Sequence, residues 1–311
     1  MIELAREAIQ SSWSLQDFDH LALAYFNLND RNSPQYLEFH EGHEETREDF
    51  FWDLASVTKV LTMGALALKE PKLFSEEERL LLEHRGGLPR WAILGKKSWK
   101  ETVLKFSIKE SEVEYSDISM LRLMILLEEK TGKNFKDLVD WYWDKELLFW
   151  KNLPENAFCP ETGFRQGNVI SGEVNDDNAF KINRFCSHAG LFSTVRGLVN
   201  SLYNLEEDVD LLLKINKFFD LKRKGEFLNG WRTMSKEIGL KSSDTLAGTL
   251  PPDKVFGHTG FTGTSVWIDA DSGWGWVLLT NSTKKYWFNR KELNRLRYRL
   301  GGILWESLKE S

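Results

Sequence analysis

The chain has 311 residues, a formal net charge of −6 and a hydrophobic fraction of 41%. This hydrophobic fraction, together with 22 glycines, is typical of a globular protein and excludes a disordered chain. The negative charge excludes an overall basic surface of the kind that binds a nucleic-acid backbone. At roughly 150 residues per domain, the length predicts two domains or one large one.

The apolar segments and the N-terminus give expectations about location. The longest apolar stretch, 60–68, is far shorter than the roughly 20 residues that span a bilayer. Residues 1–7 carry acids where a secretory signal carries bases. Two cysteines, Cys159 and Cys186, are too few for a disulfide framework and fit a reducing compartment. The sequence therefore predicts a cytoplasmic protein without a membrane partner.

The N-terminal part of the chain alternates helical and strand patterns. Ile2–Trp13 has the apolar spacing of a short amphipathic helix. The apolar run Leu21–Leu28 predicts a strand, and Gln35–His40 predicts its partner. The intervening Asn27–Pro34 is dense in Asn, Asp, Ser and Pro, which predicts a turn. A second helix is predicted over Val57–Leu68.

The middle of the chain, to about residue 225, has several helical patterns and few strand signals. Three strands are then predicted at Val255–Phe261, Thr264–Asp269 and Trp274–Thr280. Their short connections make them an antiparallel meander. A charged helix over Arg290–Leu308 closes the chain.

Strands at both ends with helices between them predict an α/β (α+β) fold. Residues 1–70 and 225–311 are expected to form one discontinuous domain, an antiparallel sheet flanked by terminal helices. Residues 71–224 are expected to form an inserted, mainly helical domain, with the active site at the junction of the two.

The run 56–59 (Ser-Val-Thr-Lys) is a candidate nucleophilic motif. At a helix start, the macrodipole favours negative charge on the Ser56 oxygen, and Lys59 lies on the same face three residues later. Lys59 can act as a base if burial lowers its pKa. The alternative is that Ser56 only caps the helix. The run 282–285 also matches, but Ser282 follows a strand and precedes no clear amphipathic helix.

Residues 51–62 (Phe-Trp-Asp-Leu-Ala-Ser-Val-Thr-Lys-Val-Leu-Thr) resemble the nucleophile segment of the serine β-lactamase and penicillin-binding superfamily. The resemblance is to the class C-like branch, which includes DD-peptidases and esterases. Residues 115–117 (Tyr-Ser-Asp) are similar to the Tyr-x-Asn element of that branch, and residues 256–264 to its Lys/His-Thr/Ser-Gly strand. Residues 172–179 and 188–194 resemble a linker common there.

The resemblance implies a role for each matching residue. Ser56 would attack a carbonyl and form an acyl-enzyme, with Lys59 and Tyr115 sharing the proton transfers as an ammonium beside a phenolate. The backbone N–H groups of Ser56 and Phe261 would form the oxyanion hole. His258 would hydrogen-bond the tyrosine or bind a substrate carboxylate.

The expected substrate-binding residues are those of the second and third motifs: Asp117, His258, Thr259, Gly260 and Phe261. Two of them depart from the family pattern. Asp117 stands in place of asparagine and therefore accepts but does not donate hydrogen bonds, or it caps the helix that begins at Ile118. His258 stands in place of lysine, which removes a fixed cation. Both changes point away from efficient β-lactam hydrolysis.

Two literal motif matches are better explained by structure. The run 25–27 (Tyr-Phe-Asn) lies in a predicted strand ahead of the nucleophile. The run 130–132 (Lys-Thr-Gly) ends a helix, where glycine supplies a left-handed cap and lysine suits the negative end of the dipole. His40 and His43 flank a turn and lack a third ligand, so no metal is expected.

The sequence predicts a serine hydrolase that forms an acyl-enzyme on an amide or ester and needs no cofactor. By resemblance, D-amino-acid peptides or cell-wall fragments are the favoured substrates. A carboxylesterase of the same fold is the nearest alternative. A non-catalytic penicillin- or peptidoglycan-binding module is the alternative from another class. The expected partner is a small-molecule or peptide substrate, with no nucleic acid.

Overall fold

The computed structural model describes residues 1–221, 225–234, 245–285 and 290–309. The strands of these residues are, in chain order, β1 (His20–Asn27), β2 (Asp30–His40), β3 (His43–Glu44), β4 (Trp52–Asp53), β5 (Leu147–Phe149), β6 (Gly163–Arg165), β7 (Asn168–Ile170), β8 (Leu191–Ser193), β9 (Phe227–Leu228), β10 (Trp231–Thr233), β11 (Val255–Thr259), β12 (Ser265–Asp269) and β13 (Trp274–Thr280). The helices are α1 (Ile2–Ser12), α2 (Val57–Lys59), α3 (Ala65–Lys69), α4 (Glu76–Leu82), α5 (Trp99–Leu104), α6 (Asp117–Thr131), α7 (Phe135–Val139), α8 (Asp177–Ile182), α9 (Val195–Val209), α10 (Leu211–Phe219) and α11 (Lys291–Ser307).

The main sheet has the strand order β3-β2-β1-β13-β12-β11-β10-β9, and each neighbouring pair is antiparallel. Its strands come from both ends of the chain, on either side of a mainly helical middle. The predicted α/β (α+β) class with an antiparallel sheet is confirmed. The division into domains at 1–70, 71–224 and 225–311 stays a prediction.

Both faces of the main sheet are covered. Leu21, Leu23 and Tyr25 of β1 pack toward α1 and α11, while Ala22 and Ala24 face the helical middle. A strand buried on both faces reads as a continuous apolar run rather than an alternating one. This burial explains why β1 was readily predicted from sequence.

The structure adds detail to two parts of the sequence analysis. The turn predicted over Asn27–Pro34 is short, because β2 already begins at Asp30. The β1–β2 register shifts between Tyr25 and Asn27, and Pro34 lies opposite that irregularity, where a strand tolerates a missing N–H. The middle segment also contains strands that were not predicted. β5 and β8 join β4 in a small sheet, and β6 and β7 form a hairpin.

The helix after Ser56 is continuous but not uniform. α2 leads into a π-helical turn over Val60–Gly64, and α3 follows it. A Cβ on Gly64 would lie 2.7 Å from the Trp231 indole nitrogen, so β10 packs directly on this turn. No helix within the described ranges is long and apolar enough to cross a membrane.

Candidate active site

A buried carboxylate holds the turn that precedes Ser56. Asp53, at the end of β4, accepts hydrogen bonds from the backbone N–H of Ala55 (2.8 Å) and of Asn175 (2.7 Å). Ala55 has a φ of 46°, a left-handed conformation that costs a non-glycine residue about 1 kcal/mol or more. Burial raises the pKa of Asp53 to about 6, although the two N–H donors oppose the rise.

Two proton-bearing side chains lie within hydrogen-bond distance of the Ser56 hydroxyl. Lys59 Nζ donates to Ser56 Oγ over 2.9 Å, and the Tyr115 hydroxyl lies 2.7 Å from the same oxygen. Ser56 makes no side-chain capping hydrogen bond, so the alternative that it only caps the helix is wrong. This arrangement fits an activated nucleophile.

Lys59 is a buried ammonium. Its Nζ contacts a carboxylate oxygen of Asp117 (2.7 Å) and donates to the backbone carbonyl of His188 (3.0 Å). Burial alone lowers the pKa of Lys59, but Asp117 and Tyr115 outweigh it, so the pKa is raised above its ordinary value. A raised pKa favours the ammonium form, so the condition under which Lys59 was expected to act as a base, a pKa lowered by burial, is not met in the resting site.

Tyr115 lies in an aromatic enclosure just before α6. Its ring centroid is 4.8 Å from that of His84 and 5.8 Å from that of His258, and Phe227 packs against both histidines. Burial raises the pKa of Tyr115, although Lys59 opposes the rise. The raised pKa favours a neutral phenol at rest, whereas the sequence analysis expected a phenolate.

Asp117 is the first residue of α6, and Ser116 is its cap. The Ser116 hydroxyl accepts the backbone N–H of Ser119 over 3.0 Å. The alternative that Asp117 caps this helix is therefore wrong. Its carboxylate instead faces Lys59, so the anion that replaces the family's asparagine is paired with a cation.

The end of β11 packs directly against the turn at 53–56, the candidate nucleophile turn. A Cβ on Gly260 would lie 2.6 Å from the Leu54 carbonyl oxygen, so only glycine permits this approach. The Thr264 hydroxyl donates to the same carbonyl (2.9 Å), and the Thr262 hydroxyl donates to the Asp53 carbonyl (2.8 Å). These contacts fix Thr259, Gly260 and the following backbone beside the nucleophile.

His258 is neutral and presents an acceptor. Its Nδ1–H donates to the Thr259 carbonyl over 2.7 Å, and its buried Nε2 has no hydrogen-bond partner within the described ranges. Burial, followed by the charges of Lys59 and Arg232, lowers the pKa of His258 to about 3. The neutral ring therefore presents Nε2 as an acceptor at rest, and binding of a substrate carboxylate by His258 stays a prediction.

Four arginines supply positive charge on the side of the cleft where His258 replaces the lysine of the family pattern. One side of the cleft is a cavity of about 400 Å³ lined by Ser56, Phe261, His258 and four arginines, together with Glu226. The arginines are Arg90, Arg232, Arg290 and Arg297. The lysine replaced by His258 is therefore not the only source of positive charge on this side of the cleft.

Arg297 is the most deeply buried of these arginines. It donates to the Ser265 hydroxyl (2.8 Å) and to the Thr264 carbonyl (3.0 Å). Burial lowers the pKa of Arg297 to about 9, and Arg290 adds to the shift. In the described part of the chain no carboxylate lies within ion-pair distance of Arg297. The sequence contains a signal for it, because Arg297 interrupts the apolar stripe of α11.

The other side of the cleft is a cavity of about 590 Å³ that also reaches Ser56, Tyr115 and Asp117. His188 and Asp176 lie in its wall, with His188 Nε2 3.0 Å from an Asp176 carboxylate oxygen. Burial raises the pKa of Asp176, but His188 outweighs it and holds the pKa below its usual range. The sequence analysis quoted both segments only as a resemblance and assigned neither residue a role.

Three further buried residues were missed as parts of the site. Asp53 and Thr262 hold the nucleophile turn, and His84 accepts the Ser116 N–H at Nδ1 over 3.0 Å. Burial, and then Lys59 and His258, lower the pKa of His84, which keeps Nδ1 an acceptor. No local pattern marks His84, because its partners come from distant segments.

The literal motif matches elsewhere are structural. The Ser282 hydroxyl donates to a backbone carbonyl over 3.1 Å. Gly132 caps α6 with a φ of 67°, and Lys130 pairs with Glu78. The Tyr25 hydroxyl donates to a carbonyl of α11. Among the residues that the structure describes, no group of three metal-ligating side chains occurs.

We expect Ser56, and not Ser282, to react with a fluorophosphonate. Ser56 Oγ faces two proton-bearing groups at the cleft, whereas Ser282 Oγ is buried against a carbonyl. Intact-mass spectrometry followed by peptide mapping locates the adduct. Ser56→Ala is expected to abolish labelling and Ser282→Ala to retain it. An adduct on Ser282, or none with any acylating probe, contradicts the assignment.

Asp53 is expected to make folding stability depend on pH in an unusual direction. Its folded pKa of about 6 lies above its ordinary 3.8, so protonation favours the folded state. As pH falls from about 7 to about 4, the wild type should gain roughly 2 kcal/mol relative to Asp53→Asn. Urea unfolding of both proteins across that range measures the difference. A constant or falling difference contradicts the argument.

Comparisons with known proteins identify the family and the fold of the chain. The family model described as Beta-lactamase matches residues 79–299, a range that begins after Ser56. The N-acetylmuramyl-L-alanine amidase of Bacillus subtilis (strain 168) is 29% identical over 200 residues, covering 54% of this chain and 44% of that protein. The Escherichia coli (strain K12) protein named "Putative D-alanyl-D-alanine carboxypeptidase" is 26% identical over 215 residues, covering 58% and 48%. The chain spans about half the length of these curated relatives.

Solved structures share the fold along nearly the whole chain. A Beta-Lactamase/D-Alanine Carboxypeptidase from Pseudomonas syringae superposes with a TM-score of 0.66 at 13% identity, covering 96% of this chain and 97% of that one. A class C beta lactamase from Rhodobacter sphaeroides superposes with a TM-score of 0.65 at 16% identity, covering 97% and 98%. The β-lactamase-like fold implied by the sequence is confirmed. Since the family model matches well over half of the sequence, the chain belongs to the beta-lactamase family.

Proposed function

We propose that the protein is a serine amidase that forms an acyl-enzyme at Ser56 and releases an amino acid or peptide with a free carboxylate. The observation that supports this most directly is the convergence of Lys59 Nζ and the Tyr115 hydroxyl on Ser56 Oγ. The substrate class proposed is a cell-wall fragment or a peptide that contains D-amino acids.

Acylation proceeds by a proton relay through a neutral phenol. As Ser56 Oγ bonds to the substrate carbonyl carbon, its proton moves to the Tyr115 oxygen, and the phenol proton moves to the leaving nitrogen. The carbon–nitrogen bond then breaks, and the amine departs. The Lys59 ammonium stabilises the negative charge that develops on both oxygens during the transfer.

Deacylation uses the same groups in reverse. A water molecule attacks the acyl carbon, gives its proton to the Tyr115 oxygen, and the phenol proton returns to Ser56 Oγ as the ester bond breaks. The relay leaves every protein group in its starting protonation state. Lys59 keeps its proton throughout, which agrees with its raised pKa.

The arginine-lined cavity supports a leaving group that carries a carboxylate. Arg297 and Arg232 lie on the same side of Ser56 as His258, which offers no cation itself. Guanidinium groups bind carboxylates through paired N–H donors. The names of the two curated relatives each describe a compound in which alanine is joined through an amide bond. An alanine leaving group would present such a carboxylate.

The alternatives make different demands on the same cleft. A carboxylesterase releases a neutral alcohol and gives the arginines no ligand, so the arginine-lined side favours the amidase. A non-catalytic binding module has no need of a serine hydroxyl placed within hydrogen-bond distance of both Lys59 and Tyr115. Steady release of product from an amide substrate separates the amidase from both.

Lys59→Ala and Tyr115→Phe should each lower the acylation rate by about 10²-fold or more, the usual scale of a lost proton-transfer group. Lys130→Ala and Tyr25→Phe are matched controls, because those residues satisfy the literal motifs outside the cleft. Rapid-quench kinetics on an activated ester measure the rate. Near-normal rates in both site variants would contradict the relay.

The pH dependence separates a neutral phenol from a phenolate. Because the pKa of Tyr115 is raised, we expect the acylation rate to stay flat between about pH 7 and about pH 9. With this raised pKa, a mechanism that needs the phenolate would instead give a rate that rises about tenfold per pH unit over that range. Single-turnover rates at several pH values, with circular dichroism to check folding, decide between the two.

Substrates with a free terminal carboxylate should be preferred. We expect kcat/KM for acyl-D-alanine to exceed that for its carboxamide by about tenfold or more, the scale of a charge-assisted hydrogen bond. Arg232→Gln and Arg297→Lys should each shrink that ratio. Lys254→Gln, a surface cation away from the cleft, is the control. Equal rates for the acid and the carboxamide in the wild type would contradict a carboxylate subsite.

A further inference from the structure

The larger cavity beside Ser56 has exposed aromatic walls. Trp91 and Phe164 line it with 47% and 66% of their surfaces exposed, and Phe261 lies at its border with the arginine-lined side. Phe164 is held over the cleft by the β6–β7 hairpin. Large exposed aromatic rings around one cavity mark a surface that gains by covering an apolar ligand face.

The interior of the same cavity contains buried polar atoms without partners. Thr162 and Thr283 line it, each is 4% exposed, and the Oγ1 of each has no hydrogen-bond partner within the described ranges. His188 Nδ1 is also buried without a hydrogen-bond partner within the described ranges. Buried polar groups normally have partners, and each orphan costs about 1–3 kcal/mol. A ligand with hydroxyl groups would supply those partners.

The backbone of Thr162 is held by hydrogen bonds on both sides. Its N–H donates to the Ile170 carbonyl (2.8 Å), and its carbonyl accepts from the Asn175 side chain (2.9 Å). Asn175 is in turn bound to Asp53 through its backbone N–H. The subsite and the nucleophile turn are therefore parts of one rigid hydrogen-bonded unit.

The carboxylates of this cavity are already paired, which excludes a cationic ligand as the best fit. Asp117 contacts Lys59, Asp176 contacts His188, and Asp177 accepts from Arg165 over 2.9 Å. Each of these carboxylates therefore already has a hydrogen-bond or ion-pair partner. The combination of apolar ring surfaces, orphan hydrogen-bonding groups and partnered carboxylates fits a neutral ring with hydroxyl groups.

We propose that this cavity binds the sugar ring of a substrate whose acyl group is a sugar acid, with Trp91 and Phe164 packing on the faces of the ring. The inference rests on the proposed acyl-enzyme function and assigns its acyl-side substrate class. Thr162 and Thr283 bind the ring hydroxyls. The enzyme then cuts the amide between the carboxyl group of the sugar acid and an amino acid.

The test compares three alanine amides that share a leaving group. N-acetylmuramyl-L-alanine carries the sugar, 2-methoxypropanoyl-L-alanine keeps only the atoms next to the carbonyl, and hexanoyl-L-alanine carries an apolar chain. Isothermal titration with Ser56→Ala gives affinity, and kcat/KM of the wild type gives turnover. We expect the sugar compound to bind about tenfold or more tightly than either of the others.

Substitutions in the cavity test which residues produce the affinity gain of the sugar compound. In the Ser56→Ala background, Trp91→Ala and Thr162→Val should each remove most of the affinity gain of the sugar compound over 2-methoxypropanoyl-L-alanine. Ile93→Ala, which removes a 77%-exposed side chain outside the cavity, should leave the gain intact. Circular dichroism checks that each variant is folded, and Phe164→Ala replaces any that is not.

The outcomes separate the two proposals. If Ser56→Ala binds the sugar compound selectively but the wild type cuts no amide, the sugar subsite stands and the amidase proposal falls. If the wild type cuts all three amides with equal kcat/KM, the amidase stands and the sugar subsite is overturned. Tighter binding of hexanoyl-L-alanine, or a gain that survives Trp91→Ala and Thr162→Val, also overturns the subsite.

Discussion

The site depends on a positive charge buried beside Ser56. The Lys59 ammonium is removed from water, and such a charge is tolerated only where its N–H groups and its charge are matched. Its three close partners are the Ser56 hydroxyl, the His188 carbonyl and the Asp117 carboxylate. Asp117 supplies what an asparagine would not, a full negative charge. The departure from the family pattern at 117 therefore stabilises the charged form of Lys59.

That charge also controls the protonation of its neighbours. It lowers the pKa of His258 and of His84 beyond the effect of burial, and it opposes the rise in the pKa of Tyr115. The ring of Tyr115 is thus enclosed by two neutral imidazoles. With both histidines uncharged and Lys59 protonated, the phenol is the group beside Ser56 that can take one proton while giving another.

The sequence predicted what local pattern encodes. Strand β1, the meander β11–β13 and the helix after Ser56 follow from apolar runs and from turn residues. Short strands such as β5 and β8 were not predicted, because three residues show no hydrophobic period and their pairing partners come from far along the chain. The protonation states of the site could not be predicted for the same reason. The pKa of Lys59 depends on Asp117, which follows it by more than fifty residues. Arg297 carried a local signal, as a charge within an apolar stripe.

The two sides of the cleft meet at the turn before Ser56. On the side of the larger cavity, Asp53 binds the N–H of Asn175, whose side chain holds Thr162. On the arginine-lined side, Thr262 donates to the Asp53 carbonyl and Gly260 packs on the next residue. Because the left-handed conformation at 55 persists only while its surroundings enforce it, a shift on either side moves the serine hydroxyl. Binding on both sides and alignment of the nucleophile are therefore one structural requirement rather than two.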